Sequence, residues 1–191
     1  YISRHKKTNI KNNIFLGTKL NPSINDRYVP VEFRKHKFGI IFTSTLNRAL
    51  ESCLLISKKK QIITSKLLNE IDYGKVEGMT VKNLIKLYPQ IINKWNLNKD
   101  PKFPNGENYK NIIKRLDLFF KLNKNRIHTK KKILIITHNV LIRTIIGKAL
   151  NIPMYDWYKI KIDYFKLYNF KLQNGKLILN INRKVIKKIL I

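Results

Sequence analysis

Two histidines and two arginines lie in sequence contexts suited to phosphate chemistry. Arg4 and His5 follow a short opening run, Arg48 lies at the start of a segment with helical periodicity, and His138 follows the apolar run ILIIT. A guanidinium offers a planar fork of donors to phosphate oxygens, and a neutral imidazole, with an ordinary pKa of about 6.5, is a nucleophile at neutral pH. If these four side chains meet, they form a small cationic cup for a phosphate ester.

A single histidine at the end of a strand is more often a hydrogen-bonded scaffold residue than a catalyst. Here His5 and His138 both follow predicted strands, which favours a shared site. His36 and His128 lie among lysines and are interpreted as surface residues.

The elements that would position these residues are strands that alternate with helices. We predict strands at residues 1–3, 38–42, 61–64, 132–137, 164–170 and 177–182, and helices at 46–56, 81–87, 108–122 and 140–150. This alternation is typical of an α/β fold with a mostly parallel sheet. Ligands bind such sheets beyond the carboxyl ends of the strands, which is where the two histidines and two arginines are expected.

The end of the chain follows a different pattern. Two alternating apolar and polar runs flank Asn174-Gly175, and Asn-Gly is a strong signal for a tight turn between antiparallel strands. We therefore predict an antiparallel C-terminal hairpin. No linker-like segment divides the chain, so residues 1–191 are interpreted as a single domain.

Residues 68–78 form a loop with an unusual composition for this chain. It holds Glu70, Asp72 and Glu77 together with two glycines, although the chain has only 11 acidic residues and 7 glycines. We therefore treat this loop as a fourth candidate part of the same site, together with the three strand ends.

The net charge of +29 is the most unusual property of the composition. Such a charge can indicate a polyanionic partner. However, 32 of the 40 cations are lysines spread over every predicted element, and lysine, isoleucine and asparagine, which have AT-rich codons, dominate the sequence. No aromatic platform interleaves with the lysines. We interpret the charge as a solvated surface and expect no specific nucleic-acid binding.

The remaining composition indicates a reducing compartment. Cys53 is the only cysteine, which excludes an internal disulfide. No apolar stretch reaches the roughly 18 residues of a membrane span, and no secretory leader pattern is visible. We expect a cytoplasmic protein without a membrane partner, and the sequence leaves a homodimer open.

Five segments together resemble the histidine phosphatase superfamily, also called phosphoglycerate mutase-like. RHKKT resembles the family's Arg-His-Gly-Glu-Thr opening, and FTSTLNRALESC resembles its Ser-x-Leu-x-Arg-Ala helix start. LNEIDYGKVEGMT, PNGEN and IITHNVLIRTII are similar to its acid loop, its Pro-x-Gly-Glu-Ser motif and its second histidine segment. The resemblance covers nearly the whole chain and implies an α/β three-layer sandwich with helices on both faces of the sheet.

The resemblance also implies roles for individual residues. His5 would become phosphohistidine, Arg4, Arg48 and His138 would bind the phosphoryl oxygens, and Glu70 would donate the proton to the leaving group. No cofactor or metal is implied. Four further positions would line the substrate pocket, namely Thr8, Lys11, Gly17 and Asn139. Glu77, Asp72 and Arg143 are interpreted as structural, with Arg143 bracing its own helix.

Lys6 is the clearest departure from the family pattern, because the family has glycine after the nucleophile. Lys6 either crowds the phosphate loop or has been recruited as an additional phosphate contact. We favour the contact, because the attraction between a cation and a dianion is stronger in a partly desolvated pocket.

The short connection between the acid loop and PNGEN, residues 79–103, favours a phosphatase with a small phosphorylated substrate, similar to alpha-ribazole phosphatases and broad-specificity phosphatases. A long insertion would favour a mutase. A weakly active or inactive member that serves as a binding module is the third alternative.

Overall fold

The computed structural model describes residues 1–10, 13–57, 62–129, 131–173 and 176–180. The strands are β1 (Ile2–Arg4), β2 (Ile40–Thr43), β3 (Ile62–Thr64), β4 (Ile133–Thr137), β5 (Phe170–Gln173) and β6 (Lys176–Leu179). The α-helices are α1 (Val31–Arg34), α2 (Asn47–Leu54), α3 (Val81–Leu87), α4 (Pro89–Asn96), α5 (Tyr109–Leu122), α6 (Lys124–Ile127) and α7 (Asn139–Ala149). Short 3-10 helices span Lys66–Leu68, Gly74–Val76 and Met154–Lys159.

The main sheet of the described residues contains four parallel strands in the order β1-β4-β2-β3. Its central strand β4 is the apolar run ILIIT, which is buried along most of its length, as expected for a strand covered on both faces. Strands β5 and β6 pair antiparallel in a separate hairpin. The predicted α/β class, the mostly parallel sheet and the C-terminal hairpin are confirmed.

Helices cover both faces of the main sheet, which gives three layers. On one face Ile135 packs in a core with α5 and α7, to which Leu116 and Ile145 belong. On the other face Leu134 packs with α1 and α2. Because successive strand side chains point to opposite faces, β4 supplies both cores. No helix of the described residues is long and apolar enough to cross a membrane.

The prediction of a strand at residues 164–170 was wrong for most of its length. Tyr164 and Tyr168 make only isolated bridges, to Arg4 and Ile2, and the continuous strand starts at Phe170. Phe165, between them, has a φ of 49°, a left-handed conformation that interrupts an extended strand. The end of the predicted strand 177–182 and the Asn174-Gly175 turn lie outside the described residues.

Candidate active site

The carboxyl ends of β1 and β4 bring the two histidines together. Arg4 of β1 pairs with Thr137 of β4, and the backbone N–H of His5 donates to the Thr137 carbonyl at 3.0 Å. His5 and His138 therefore follow neighbouring strands, and their ring centres are 5.0 Å apart. Both rings are buried. The structure thus brings the two histidines together at the strand ends, where the sequence places a shared crevice.

The tautomer of His5 follows from its hydrogen bond to the next residue. The Nδ1 atom lies 2.5 Å from the Lys6 carbonyl oxygen, which can only accept, so Nδ1 carries the proton. The lone pair of the neutral ring is then on Nε2. Burial, followed by the charges of Arg4 and Arg48, lowers the pKa of His5 well below its ordinary value. His5 therefore holds an unprotonated nitrogen, the form needed for nucleophilic attack.

His138 is held by the end of β2. Its Nε2 atom lies 2.7 Å from the Ser44 hydroxyl, which also lies 2.9 Å from Asn69 Oδ1. The Ser44 hydroxyl donates to Asn69 Oδ1, which can only accept, and therefore accepts from His138 Nε2–H. The Nδ1 atom of His138 is then unprotonated and has no hydrogen-bond partner among the described residues. Burial, followed by the charge of Arg48, lowers the pKa of His138 well below its ordinary value. The neutral ring therefore donates from Nε2 to Ser44, and its lone pair is on Nδ1.

Each of the two arginines whose charges act on the histidines has one buried donor without a partner among the described residues. The guanidinium of Arg4 lies 3.6 Å from the centre of the Tyr164 ring and donates to the Ile162 carbonyl, while Arg48 donates to the carbonyls of Gly17 and Leu20. In both arginines the Nε–H is buried and has no partner among the described residues. These donors are held in place by other bonds and remain available to an anion.

Glu70 reaches the same place from the acid loop. Its carboxyl is 4% exposed and accepts from the N–H groups of Ile71, at 3.0 Å, and Val140, at 3.3 Å, in the first turn of α7. Burial raises the pKa of Glu70, while those two N–H groups and the charges of Arg48 and Arg4 oppose the rise. A carboxyl group with a raised pKa beside cations is suited to exchange protons.

The four residues expected to line the pocket differ in their placement. Gly17 is buried, and its carbonyl accepts from Arg48 at 2.7 Å. Thr8 is half-buried and bridges to Ile24, and Asn139 is the half-buried first residue of α7 beside His138. Lys11 lies outside the described residues. No group of three metal-ligating side chains occurs within the part of the chain that the structure describes.

Comparison with known families agrees with this geometry. The sequence profile described as the histidine phosphatase superfamily (branch 1) matches residues 27–183. The chain belongs to this superfamily. The matched range begins after His5.

Curated relatives of this histidine phosphatase include both phosphatases and mutases. Fructose-2,6-bisphosphatase of Saccharomyces cerevisiae is 30% identical over 115 residues, which cover 59% of this chain and 24% of that protein. Phosphoglycerate mutase of Schizosaccharomyces pombe is 28% identical over 151 residues, which cover 71% of each chain. The chain thus spans about a quarter of the first relative and more than two thirds of the second.

Solved structures show the same fold. Phosphoserine phosphatase of Entamoeba histolytica, in complex with 3-phosphoglyceric acid, superposes with a TM-score of 0.79 at 22% identity and covers 94% of this chain and 93% of that chain. Alpha-ribazole phosphatase of Shigella flexneri gives a TM-score of 0.76 at 18% identity with the same coverage. The expected superfamily and its three-layer fold are confirmed.

Glu77 of this histidine phosphatase holds the loop that faces Arg48. Its carboxylate accepts from four consecutive backbone N–H groups, at 2.7 to 3.2 Å, in residues 17–20. Arg48 holds the same loop by donating to the carbonyls of Gly17 and Leu20. A side chain at Gly17 would place its Cβ 2.7 Å from the Ile71 carbonyl oxygen and 2.8 Å from Glu77. The structural interpretation of Glu77 agrees with these contacts.

Neither a role for Arg115 nor one for Glu107 was predicted from the sequence. Arg115 donates to the backbone carbonyl of Glu70 at 3.2 Å and forms an ion pair with Glu107. The PNGEN motif marks Glu107, whereas nothing in the sequence around Arg115 indicates this role. Arg143, which was interpreted as structural, donates from Nε at 2.8 Å to the carbonyl of Ile160 and so ties α7 to the segment that follows the last 3-10 helix.

The expectation that Lys6 contacts the phosphate is not met by its placement. Its ammonium contacts the Asp26 carboxylate and the Tyr28 carbonyl oxygen. The side chain is 4% exposed. The ammonium turns to Asp26 because a buried positive charge requires an opposite charge beside it, and the Asp26 carboxylate provides one at the surface.

Proposed function

We propose that this histidine phosphatase hydrolyses a small phosphate monoester through a phosphohistidine on His5 Nε2, with Glu70 as the proton donor. One observation carries the proposal. The Nε–H groups of Arg4 and Arg48, whose charges act on His5, are buried donors without a partner among the described residues. Buried donors are normally satisfied, so this arrangement fits an anion with several oxygens.

The chemistry follows in two steps. In the first, His5 Nε2 attacks phosphorus, the bond from phosphorus to the ester oxygen breaks, and that oxygen takes the proton of the Glu70 carboxyl. In the second, the Glu70 carboxylate removes a proton from water, the water oxygen attacks phosphorus, and the bond from Nε2 to phosphorus breaks to release phosphate. Glu70 ends protonated again, which closes the cycle.

Arg4 and Arg48 supply the electrostatic part of catalysis. Both lower the pKa of His5, so both act on the nucleophile electrostatically. In phosphoryl transfer the charge gathers on the three equatorial oxygens, and fixed donors that meet those oxygens stabilise the transition state. Because two guanidinium groups provide this charge, the proposed mechanism requires no metal and no other cofactor.

Hydrolysis is favoured over mutase transfer by the size of the segment between the acid loop and PNGEN. Residues 79–103 form only α3 and α4, and Trp95 of α4 packs against Phe103 at 5.7 Å between ring centres. Little chain is left to exclude water from the phosphohistidine, and water is the acceptor in hydrolysis. Mutase activity is the second candidate, because several of the relatives are phosphoglycerate mutases.

The test is phosphate release from sugar phosphates, phosphoglycerates and nucleotides, with and without a chelator, combined with phosphoryl labelling in rapidly quenched reactions. We expect release that is insensitive to chelator and inhibited by vanadate, and acid-labile label on the wild type. His5→Ala removes both, whereas His128→Ala, at an exposed histidine, keeps them.

Three results would contradict the proposal. Label that persists on His5→Ala would place the nucleophile elsewhere. Activity that is lost when chelator is added and returns with a divalent ion would require a metal mechanism. Isomerisation of phosphoglycerates faster than phosphate release would establish the mutase.

A further inference from the structure

The side chain of Lys6 connects the residue after the nucleophile to a neighbouring loop. Its buried ammonium contacts the Asp26 carboxylate and the Tyr28 carbonyl oxygen and lies 5.0 Å from the centre of the Phe165 ring. Asp26 is 54% exposed, so the pair reaches from the interior to the surface. A buried ammonium is costly unless it is paired, and therefore this contact fixes where the side chain can lie.

The backbone of Lys6 is fixed at the same time on both sides. Its carbonyl oxygen accepts the Nδ1 proton of His5 at 2.5 Å, and its N–H donates to the Ser52 hydroxyl at 2.9 Å. Ser52 in turn donates at 2.6 Å to the carbonyl of Arg48. One residue thus joins the nucleophile, the helix that carries Arg48 and, through its side chain, the Asp26 loop.

The Asp26 loop is itself well anchored beside this segment. Asp26 accepts from the N–H of Tyr28 at 2.8 Å, and the N–H of Asn25 donates to the Lys7 carbonyl at 3.1 Å. Further contact comes from the bridge between Thr8 and Ile24. The ammonium of Lys6 therefore binds to a partner with a fixed position and not to a free chain.

We propose that Lys6 is a positioning residue whose side chain, held by Asp26 and Tyr28, keeps its own carbonyl oxygen against His5 Nδ1 and so keeps the lone pair on Nε2. The inference rests on the proposed function and adds Lys6 and Asp26 to it. A side chain fixed at its far end restricts the rotation of its own peptide group. That restriction is useful at this position, because a turn of the peptide would remove the acceptor that sets the tautomer.

Substitution of Asp26 separates positioning from direct substrate contact. If Lys6 positions His5, Asp26→Asn weakens the anchor, and kcat falls while KM changes little. If Lys6 instead bound substrate in competition with Asp26, the same substitution would release the ammonium, and KM would fall. The amide side chain of this variant keeps an oxygen for the Tyr28 N–H, so the variant is expected to fold.

The experiment compares Lys6→Met, Asp26→Asn and the double variant by steady-state kinetics on the best phosphate ester over a range of pH. Matched controls are Lys148→Met and Asp117→Asn, which remove a surface ion pair of 3.0 Å between α7 and α5. We expect a kcat about tenfold lower for each single variant, the size that a small misplacement of a reacting group causes, and KM within about twofold. The double variant should be no worse than either single one, because both act through one contact.

The pH profile gives a readout that a purely structural role would not change. The hydrogen bond that His5 Nδ1 donates to the Lys6 carbonyl raises the pKa of His5, so the loss of this bond should move the acid limb of kcat/KM to lower pH in both variants. A KM that falls in Asp26→Asn and rises in Lys6→Met, or kinetics unchanged in both, would overturn the inference. In either case the label on His5 tests the proposed function separately.

Discussion

Glu107 and Arg115 form a two-pronged ion pair between the start of α5 and its second turn. Arg115 Nε lies 2.8 Å from Glu107 Oε1, and Nη2 lies 2.9 Å from Oε2. The same guanidinium donates to the backbone carbonyls of three residues around the acid loop, namely Leu67, Asn69 and Glu70. Glu107 Oε2 also accepts from the N–H of Asp72 at 2.9 Å. The pair therefore fixes the backbone on both sides of the proposed proton donor.

Arg115→Lys should lower kcat more than it raises KM. Lysine keeps the charge but cannot donate to both carboxylate oxygens and three carbonyls at once, so the Glu70 carboxyl loses its fixed position. We expect kcat to fall roughly 10- to 100-fold, which is the effect of misplacing a reacting group. The free energy of unfolding should fall by about 1–3 kcal/mol. Kinetics and denaturant unfolding measure both. Arg126→Lys, at an exposed arginine, is the control, and an equal effect there would refute the explanation.

The pH dependence of kcat/KM should be bell-shaped, with an acid limb set by His5 and an alkaline limb set by Glu70. The pKa of His5 is lowered, so the nucleophile stays neutral below the ordinary histidine range, and activity is lost only when the pH falls through that lowered value. The pKa of Glu70 is raised, so its acid form persists above the ordinary carboxyl range and is lost as the pH rises through the raised value. Glu70→Gln should reduce activity and remove the alkaline limb. An alkaline limb that survives in Glu70→Gln would assign it to another group.

Gly147→Ala should destabilise the fold through overpacking. A Cβ at this position of α7 would lie 2.2 Å from Trp157 Nε1, which donates to the Ile152 carbonyl at 2.9 Å. The indole cannot retreat without losing that bond, so we expect a loss of about 1–3 kcal/mol. Thermal unfolding followed by tryptophan fluorescence measures it. Lys148→Ala, the exposed neighbour on the same helix, should change stability little, and equal stability of both variants would contradict the steric argument.

The charge of +29 should give only weak and salt-sensitive binding to nucleic acid. Binding of this type loses its affinity between roughly 50 and 200 mM salt, because counterion release no longer drives it. Fluorescence anisotropy with duplex and single-stranded DNA at several salt concentrations is the measurement. Submicromolar or sequence-selective binding at physiological salt would instead favour a binding module.

The sequence alone determined the elements whose signals are local. The apolar run of β4 predicted a buried strand, and the helix predicted at residues 108–122 is α5, which begins at Tyr109 after Asn108 caps it by accepting from the Asn111 N–H. Strand ends followed by His5 and His138 placed the candidate site at one edge of a parallel sheet. These predictions need only periodicity, capping chemistry and the common direction of parallel strands.

Tertiary structure decided the contacts that join residues distant in sequence. Lys6 turns to Asp26, Arg115 reaches the carbonyl of Glu70 from α5, and the segment at residues 164–170 is held by bridges to β1 instead of forming a strand. An ion pair or a bridge depends on which loops lie side by side after folding, and local sequence carries no signal for that. The place of the candidate site could therefore be predicted from the ends of the strands, and the family resemblance proposed His5 as its nucleophile, whereas the groups that orient the His5 ring became visible only in the folded chain.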